Sequence, residues 1–356
     1  MKEFRHIMMI FALVALAAGC SKVEVVNAPE REISFTVGSY APATKAVAVT
    51  EFNSFSSKGY LHAEGVDGTQ DFFGAAGETI TFNGTDTWAP SHPYYWPKGE
   101  SSYINFVSWY DKNGEPTTST ETSLVWEIDG TNRTLASDDN ILWADAAWRY
   151  NTNTVNAAQY DGDAITEGVP TLFHHALAQV KFQAKRKAVT GSSTFTITVN
   201  NFRLTGVYTT GSLSLTNSDP GTTGTKAWTT TGWATSGSTT FMNGKTGISL
   251  EVDNEKSLFD MQSVIPQNNG EIKAEFTYTL RTQFDANNYI EETVPASVNL
   301  SSFTGDSGEW AMNHKITYTI IIDPQTYYIE LLPTLVEDWP EEEQIIVPVK
   351  PDEDED

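Results

Sequence analysis

One cysteine, Cys20, is present among the 356 residues. A disulfide within the chain is therefore excluded, and an exported fold of this kind must be held by its apolar core alone. Long hydrophobic runs are equally scarce. The stretch from Ile7 to Ala18 is too short to cross a bilayer as a helix. Positive charge is in deficit, since 22 Lys and Arg against 46 Asp and Glu leave a formal charge of −24. That balance disfavours nucleic acid, whose phosphates need basic patches, and docking on anionic lipid head groups. Charged residues are only 19 % and aromatics 12 %, so there is material for a core and little for disorder.

What is present begins with Lys2 and Arg5, then the apolar stretch, then Leu16-Ala17-Ala18-Gly19 directly before Cys20. A charged region, a short apolar region and small residues at a cleavage point make a secretory signal. A cysteine at that boundary points to a lipoprotein signal over residues 1–19, with Cys20 acylated as the mature N-terminus. The alternative is an ordinary signal beside an incidental cysteine. Acyl chains would tether the protein to a membrane without spanning it. Residues 20–31, which include Pro29, read as a lipid-anchored tether.

The length suggests two domains or one large all-β domain. From Glu32 the alternation Ile33, Phe35, Val37 marks a first strand, broken by Ala41-Pro42-Ala43-Thr44-Lys45. Short β-branched and aromatic runs follow, separated by Gly, Asn, Asp and Ser: Tyr103–Tyr110, Leu124–Ile128, Gln179–Ala184, Thr194–Leu204, Gly247–Val252, Glu271–Arg281 and Ile316–Ile322. This spacing predicts sandwiches or barrels rather than βαβ units. Helical periodicity is nearly absent. Pro170 to Ala178 could make one helical turn, which places a boundary near residue 170 between an N-terminal domain, 32–170, and a C-terminal domain, 171–340. The Thr/Gly/Ser stretch 209–240 reads as a long hairpin or surface excursion. Residues 341–356 form an extended tail, apolar over Gln344–Val349 and acidic from Pro351 to Asp356.

Fragments that mimic active sites do not assemble into one. Gly305-Asp306-Ser307-Gly308 resembles a serine-nucleophile loop, but no base stands in a context to orient the serine, and a polar turn explains it. His174 and His175 are adjacent, so a strand sends them to opposite faces, one packed and one exposed. Asp138-Asp139-Asn140 and Asp161-Gly162-Asp163 do not continue into a calcium loop ending in Glu. No catalytic residue, metal ligand or cofactor is therefore assigned. The ten Trp sit mostly in strand runs, where core packing explains them.

Several segments together resemble the fimbrillin family, the subunits of the type V pili of Bacteroidales. They are the Cys20 start with Ile33-Ser34-Phe35 and Thr44-Lys45-Ala46; Tyr94-Tyr95-Trp96-Pro97; Leu142-Trp143-Ala144-Asp145; Phe173-His174-His175-Ala176-Leu177-Ala178-Gln179-Val180; Gly308-Glu309-Trp310-Ala311-Met312-Asn313-His314-Lys315-Ile316-Thr317-Tyr318-Thr319-Ile320; and Val336-Glu337-Asp338-Trp339. The resemblance implies two transthyretin-like Greek-key β-sandwich domains in tandem. It implies assembly with other fimbrillin subunits by strand exchange, and an outer-membrane precursor that ends in a surface fimbrium. Family precursors are often cut after an arginine near the first strand; the matching place here holds Lys45.

On this reading Ile33, Phe35 and Val37 form a removable plug between two basic residues, Arg31 and Lys45. A cut at Lys45 removes lipid and strand together and is preferred; a cut at Arg31 frees the lipid alone; an anchor-type subunit would be cut at neither. Ile345, Val347 and Val349 alternate as a donor strand would. The competing reading makes that segment the last strand of the protein's own sheet. Two other functions stay open: a surface lipoprotein that binds a host or bacterial glycan or protein without polymerising, and an enzyme of a kind no residue pattern reveals.

Cys20→Ala is expected to leave the protein unacylated and to move it out of the detergent-extracted membrane fraction, read by fatty-acid-analogue labelling of fractionated cells. A variant that stays membrane-bound and labelled would refute the lipoprotein reading.

Overall fold

The computed structural model describes residues 32–39, 52–84, 88–97, 101–151, 168–190, 194–217, 224–303, 305 and 307–339. Cys20, Arg31, Lys45, Ile345, Val347 and Val349 lie outside these residues, as does Asp161-Gly162-Asp163.

Among the described residues the chain is built of strands, with one 3-10 turn at Leu300–Ser302. The first half runs through β1 (Phe35–Ser39), β2 (Ser54–His62), β3 (Gln70–Asp71), β4 (Glu78–Phe82), β5 (Trp88–Pro90), β6 (Tyr103–Asp111), β7 (Thr118–Thr120), β8 (Ser123–Ile128), β9 (Ile141–Ala144), β10 (Ala146–Tyr150) and β11 (Val169–His175). It continues with β12 (Ala178–Arg186), β13 (Thr194–Val207), β14 (Thr210–Thr216), β15 (Gly224–Lys226) and β16 (Thr229–Ser236). The rest comprises β17 (Thr240–Asn243), β18 (Ile248–Ser249), β19 (Lys256–Val264), β20 (Gln267–Asn268), β21 (Lys273–Gln283), β22 (Tyr289–Asn299), β23 (Glu309–Trp310), β24 (His314–Ile322), β25 (Ile329–Leu331) and β26 (Leu335–Asp338).

The first sheet closes on itself. Its pairings run β6-β9-β11-β1-β5-β4-β2, and β2 pairs again with β6. Closure leaves these strands without an open edge. Their alternate side chains fill an interior of Phe35, Phe52, Phe55, Phe73, Ile80, Trp88, Ile104, Phe106 and Phe173. Such rings bury large apolar areas and favour edge-to-face contacts.

A second layer covers the outside of this circuit. It is the four-stranded sheet β16-β14-β8-β7. The 209–240 excursion supplies half of it, β14 and β16, with β14 antiparallel to β8, while its β15 pairs with β10 at the end of the first sheet. Between the layers lies a tryptophan-rich cluster of Trp109, Trp126, Trp143, Trp148, Trp228 and Trp339. Indole N–H groups need acceptors when buried, and the Trp228 and Trp233 indoles donate to the carbonyls of Ala144 and Ala176 at 2.8 and 2.6 Å.

The second core lies between β19-β12-β24-β25 and β17-β13-β21-β22. Phe182 stacks on Tyr318 at 4.6 Å, and the Trp310 indole donates to the Tyr318 hydroxyl at 3.2 Å. β12 and β24 pair in parallel from Gln179↔Lys315 to Arg186↔Ile322.

The helical turn expected over Pro170–Ala178 is not formed. β11 runs to His175, the chain bends at Ala176 and Leu177, and β12 starts at Ala178. The cause is tertiary: β11 is paired on both sides, by β9 and β1, and Val169, Thr171, Phe173 and His175 alternate inward. Residue 170 thus falls inside β11, a strand of the first sheet. His174 and His175 do point apart, as adjacent strand residues must. His174 is half-buried, stacks on Trp143 and hydrogen-bonds Asp145 at 2.9 Å. His175 is buried in the joint between the two halves, where its imidazole stacks on Trp339 at 3.9 Å and meets Asn140 Oδ1 at 3.0 Å.

Burial, with smaller contributions from the charges of Lys315 and His174, pushes the His175 imidazole well below its usual range. The unfolded chain therefore binds the extra proton first, and stability falls as pH drops below about 6.5. The slope is at most about 1.4 kcal/mol per pH unit. His175→Gln should lose about 1 kcal/mol less stability than the natural chain between pH 7.5 and 5.5 in urea unfolding. Identical losses would show that His175 titrates equally in both states.

Candidate functional site: the seat of the first strand

β1 is built from residues that the sequence marks by alternation, and its surroundings fit that alternation. Ile33 and Phe35 are each 2 % exposed, and half-buried Val37 packs against the same cluster. The Phe35 ring meets Phe55 at 5.7 Å and Phe106 at 5.5 Å, both edge-to-face at 81°. All three sequence-predicted plug residues are thus brought together, and the regular strand starts at Phe35, two residues later than the alternation.

Backbone pairing holds β1 on both sides. Phe35↔Val169, Val37↔Thr171 and Ser39↔Phe173 align it in parallel with β11, and Phe35 pairs antiparallel with Trp88 on β5. Ahead of the strand, Glu32 bridges Tyr95, and Ile33 N–H donates to the Tyr94 carbonyl at 2.7 Å. Tyr94 is fixed in turn: its hydroxyl donates to Glu78 at 3.1 Å, and Ser91 donates to the same carboxylate at 2.7 Å. Desolvation opposes the Glu78 charge, but these hydrogen bonds outweigh it and hold the carboxyl below its usual range.

β11 approaches closely because it begins after a glycine. Gly168 has φ +126°, and a Cβ there would lie 2.9 Å from Thr36 Oγ1 and 3.1 Å from the Phe35 carbonyl carbon. Only glycine combines that backbone with that approach. Composition does not single out Gly168, Tyr94 or Trp88 as parts of this seat, because each acts through a partner distant in sequence.

The seat binds a strand. It offers apolar volume and ladder groups. The fragments that resemble active sites are engaged elsewhere. Ser307 donates to the Glu309 carbonyl at 3.0 Å. Asp139 is buried, accepting from Ala136 N–H at 2.7 Å and from the Asn113 amide, with Arg133 at 3.6 Å. Among the described residues no group of three or more His, Cys, Asp or Glu is arranged to hold a metal ion.

The sequence profile of fimbrillin-like proteins matches residues 60–339. The chain belongs to the fimbrillin-like family. As such it is a fimbrial or adhesion-related protein. Its fold is similar to that of a fimbrial protein from Bacteroides vulgatus, at 15 % identity and a TM-score of 0.53, over 87 % of this chain and all of that one. Weaker likenesses are to a candidate cell adhesion protein from Bacteroides uniformis, with 14 % identity, TM-score 0.46 and 86 % and 99 % of the two chains covered. Another is to the fimbrial anchor protein Mfa2 from Porphyromonas gingivalis, with 9 % identity, TM-score 0.34 and 87 % and 98 % covered. No curated protein matches.

The root of the fimbrillin-like chain's tail is as firmly placed as its first strand. β26 pairs with the start of β24, His314↔Asp338 to Thr317↔Leu335. Trp339 N–H then donates to the Asn313 carbonyl at 2.8 Å, and the indole is 3 % exposed against His175. The tail therefore leaves from the joint between the halves.

Phe35→Ala should cost about 3–5 kcal/mol, the range for a buried Phe truncated to Ala, in urea unfolding of the precursor. Glu32→Gln, at an exposed position, should stay within about 0.5 kcal/mol. Equal, small effects would mean that β1 contributes little to the interior.

Proposed function

We propose that this fimbrillin-like protein is a structural, adhesive subunit of a pilus or fimbria. It is exported as a lipoprotein through Cys20 and assembles with other fimbrillin subunits by strand exchange. The observation that carries the reading is the position of β1. A strand from the start of the chain lies between two strands from distant parts of it and completes an otherwise continuous circuit.

Removing residues 32–39 would strip Ile33 and Phe35 from the interior and half-buried Val37 from its edge, at about 1.5–3 kcal/mol for each fully buried side chain. It would also bare the ladder groups of β11 and β5. A cut at Lys45, which lies beyond β1, would release strand and lipid in one step; a cut at Arg31 would release only the lipid.

The tail carries the same spacing. Ile345, Val347 and Val349 recur at every second residue, as Ile33, Phe35 and Val37 do, so one extended face could enter the vacated seat of the next copy. Backbone hydrogen bonds then supply affinity, and alternate side chains supply register. Such a contact joins two different surfaces and propagates as an open filament. Even fully extended, Gln344 lies within roughly 17 Å of Trp339. The receiving subunit must therefore dock beside the joint. Contact with the cell is first through the lipid in the outer membrane and, after processing, through the fibre.

Truncation after Trp339 tests the assignment. The shortened monomer should melt within a few degrees of the full chain and fail to form filaments by electron microscopy. Unfolding of the truncated monomer would place the tail in the protein's own core. Sequencing of fibre-associated protein should give an N-terminus at Ala46; Cys20 still attached in polymer would contradict release of the plug.

A further inference from the structure

The outer face of the sheet β17-β13-β21-β22 carries a second feature, apart from the seat of the first strand. Four polar residues form one row across its four strands. Asn243 pairs with Arg203, Arg203 with Glu275, and Glu275 with Ser297. The row lies in an open cleft of ≈ 740 Å³, lined also by Asn201, Thr246, Thr277 and Pro295. That volume falls within the roughly 300–1,000 Å³ of ligand sites.

The cleft is made by local backbone. β13 shifts register between Asn200 and Arg203, and Asn201 adopts φ +56°. Such a bulge bends a strand and re-aims its side chains. On the far wall Gly244 lies so close to the Leu258 carbonyl and the Phe202 ring that a Cβ has no room.

We propose that this cleft binds a neutral glycan. Arg203 Nε and Nη2 both donate to Glu275 Oε2, at 3.0 and 2.7 Å. The pair is neutral overall, and Arg203 Nη1 and Glu275 Oε1 have no other hydrogen-bond partner among the described residues. A donor and an acceptor side by side are the complement of neighbouring hydroxyls on a sugar ring. The side chains of Asn201, Asn243 and Ser297 likewise make no hydrogen bond among the described residues, and each can donate and accept. At the rim Phe241 is 64 % exposed, its ring 4.9 Å from the Arg203 guanidinium. An aromatic face held in this way is a platform for the C–H face of a sugar.

Other ligand classes fit less well. The row has no surplus positive charge for a phosphate or sulfate, and the chain's −24 repels acidic ligands at range. The cleft's open shape admits a chain, not only a terminal residue. The site deepens the adhesive part of the proposed function by naming the class of surface it would grip.

The test is titration calorimetry and saturation-transfer NMR on the full-length monomer. The probes are maltotriose, β-1,4-mannotriose, β-1,4-galactotriose, N-acetyllactosamine and, as an acidic comparison, sialyllactose. Saturable binding of at least one neutral probe is expected, weakened about tenfold by Phe241→Ala and by Asn243→Ala. Both side chains are exposed, so melting temperatures should stay unchanged. The same variants should still form filaments, which separates failure of this site from failure of assembly. No saturable binding by any neutral probe, or binding that survives both substitutions, would overturn the proposal. Binding confined to sialyllactose would overturn it too.

Discussion

The parallel ladder between β1 and β11 is the contact on which the first half of the molecule depends. It is short, from Phe35↔Val169 to Ser39↔Phe173, yet without it the circuit of strands is open and the aromatic interior faces water. Unpaired ladder groups and exposed rings are costly together, since neither water nor a neighbour satisfies both. The fold therefore demands a strand at that position. It does not demand that the strand come from the same chain. Any segment with apolar side chains at every second residue, and a backbone that can lie beside Gly168, meets the same physical requirement.

The tryptophan-rich joint has a complementary part. It welds the circuit to the sheet made by β8 and the 209–240 excursion, and it receives Trp339 from the far end of the chain. The last described contact before the tail is thus a buried ring stack on His175. On the proposed reading, a tail rooted there would transmit force to the core of its own subunit. The polar cleft lies on the β17-β13-β21-β22 sheet, across the second core from the sheet in which β24 pairs with β26. On the proposed reading, adhesion and assembly would use different surfaces.

Much of this was legible in the sequence, for identifiable reasons. Short β-branched and aromatic runs, such as Tyr103–Tyr110 and Ile316–Ile322, became β6 and β24 nearly residue for residue. The core packing of the tryptophans also followed from their context: nine are buried, with Trp233 packed against the joint. Local signals failed where distant partners decide. Pro170 and the two histidines suggested a helical turn, but pairing by β9 and β1 imposed a strand. Gly247–Val252 read as a full strand, yet only Ile248–Ser249 finds a ladder, on β13. The seat itself could be guessed only from its plug, because Trp88, Tyr94 and Gly168 carry no mark of their partners. The cleft was invisible for the same reason: its row of polar residues exists only once four strands are in register.

The central claim is that the tail of one copy takes the place of β1 in the next. The only natural cysteine, Cys20, would leave with the plug on the proposed processing, so introduced cysteines would report cleanly. Thr171→Cys, which sits opposite Val37 in the seat, should be combined in turn with Ile345→Cys, Val347→Cys and Val349→Cys. Fibres would be assembled, oxidised and run under denaturing, non-reducing conditions. The account predicts a ladder of covalently linked oligomers for at least one of the three pairs, collapsing to monomer on reduction. Intact fibres that yield only monomer for all three pairs would contradict it.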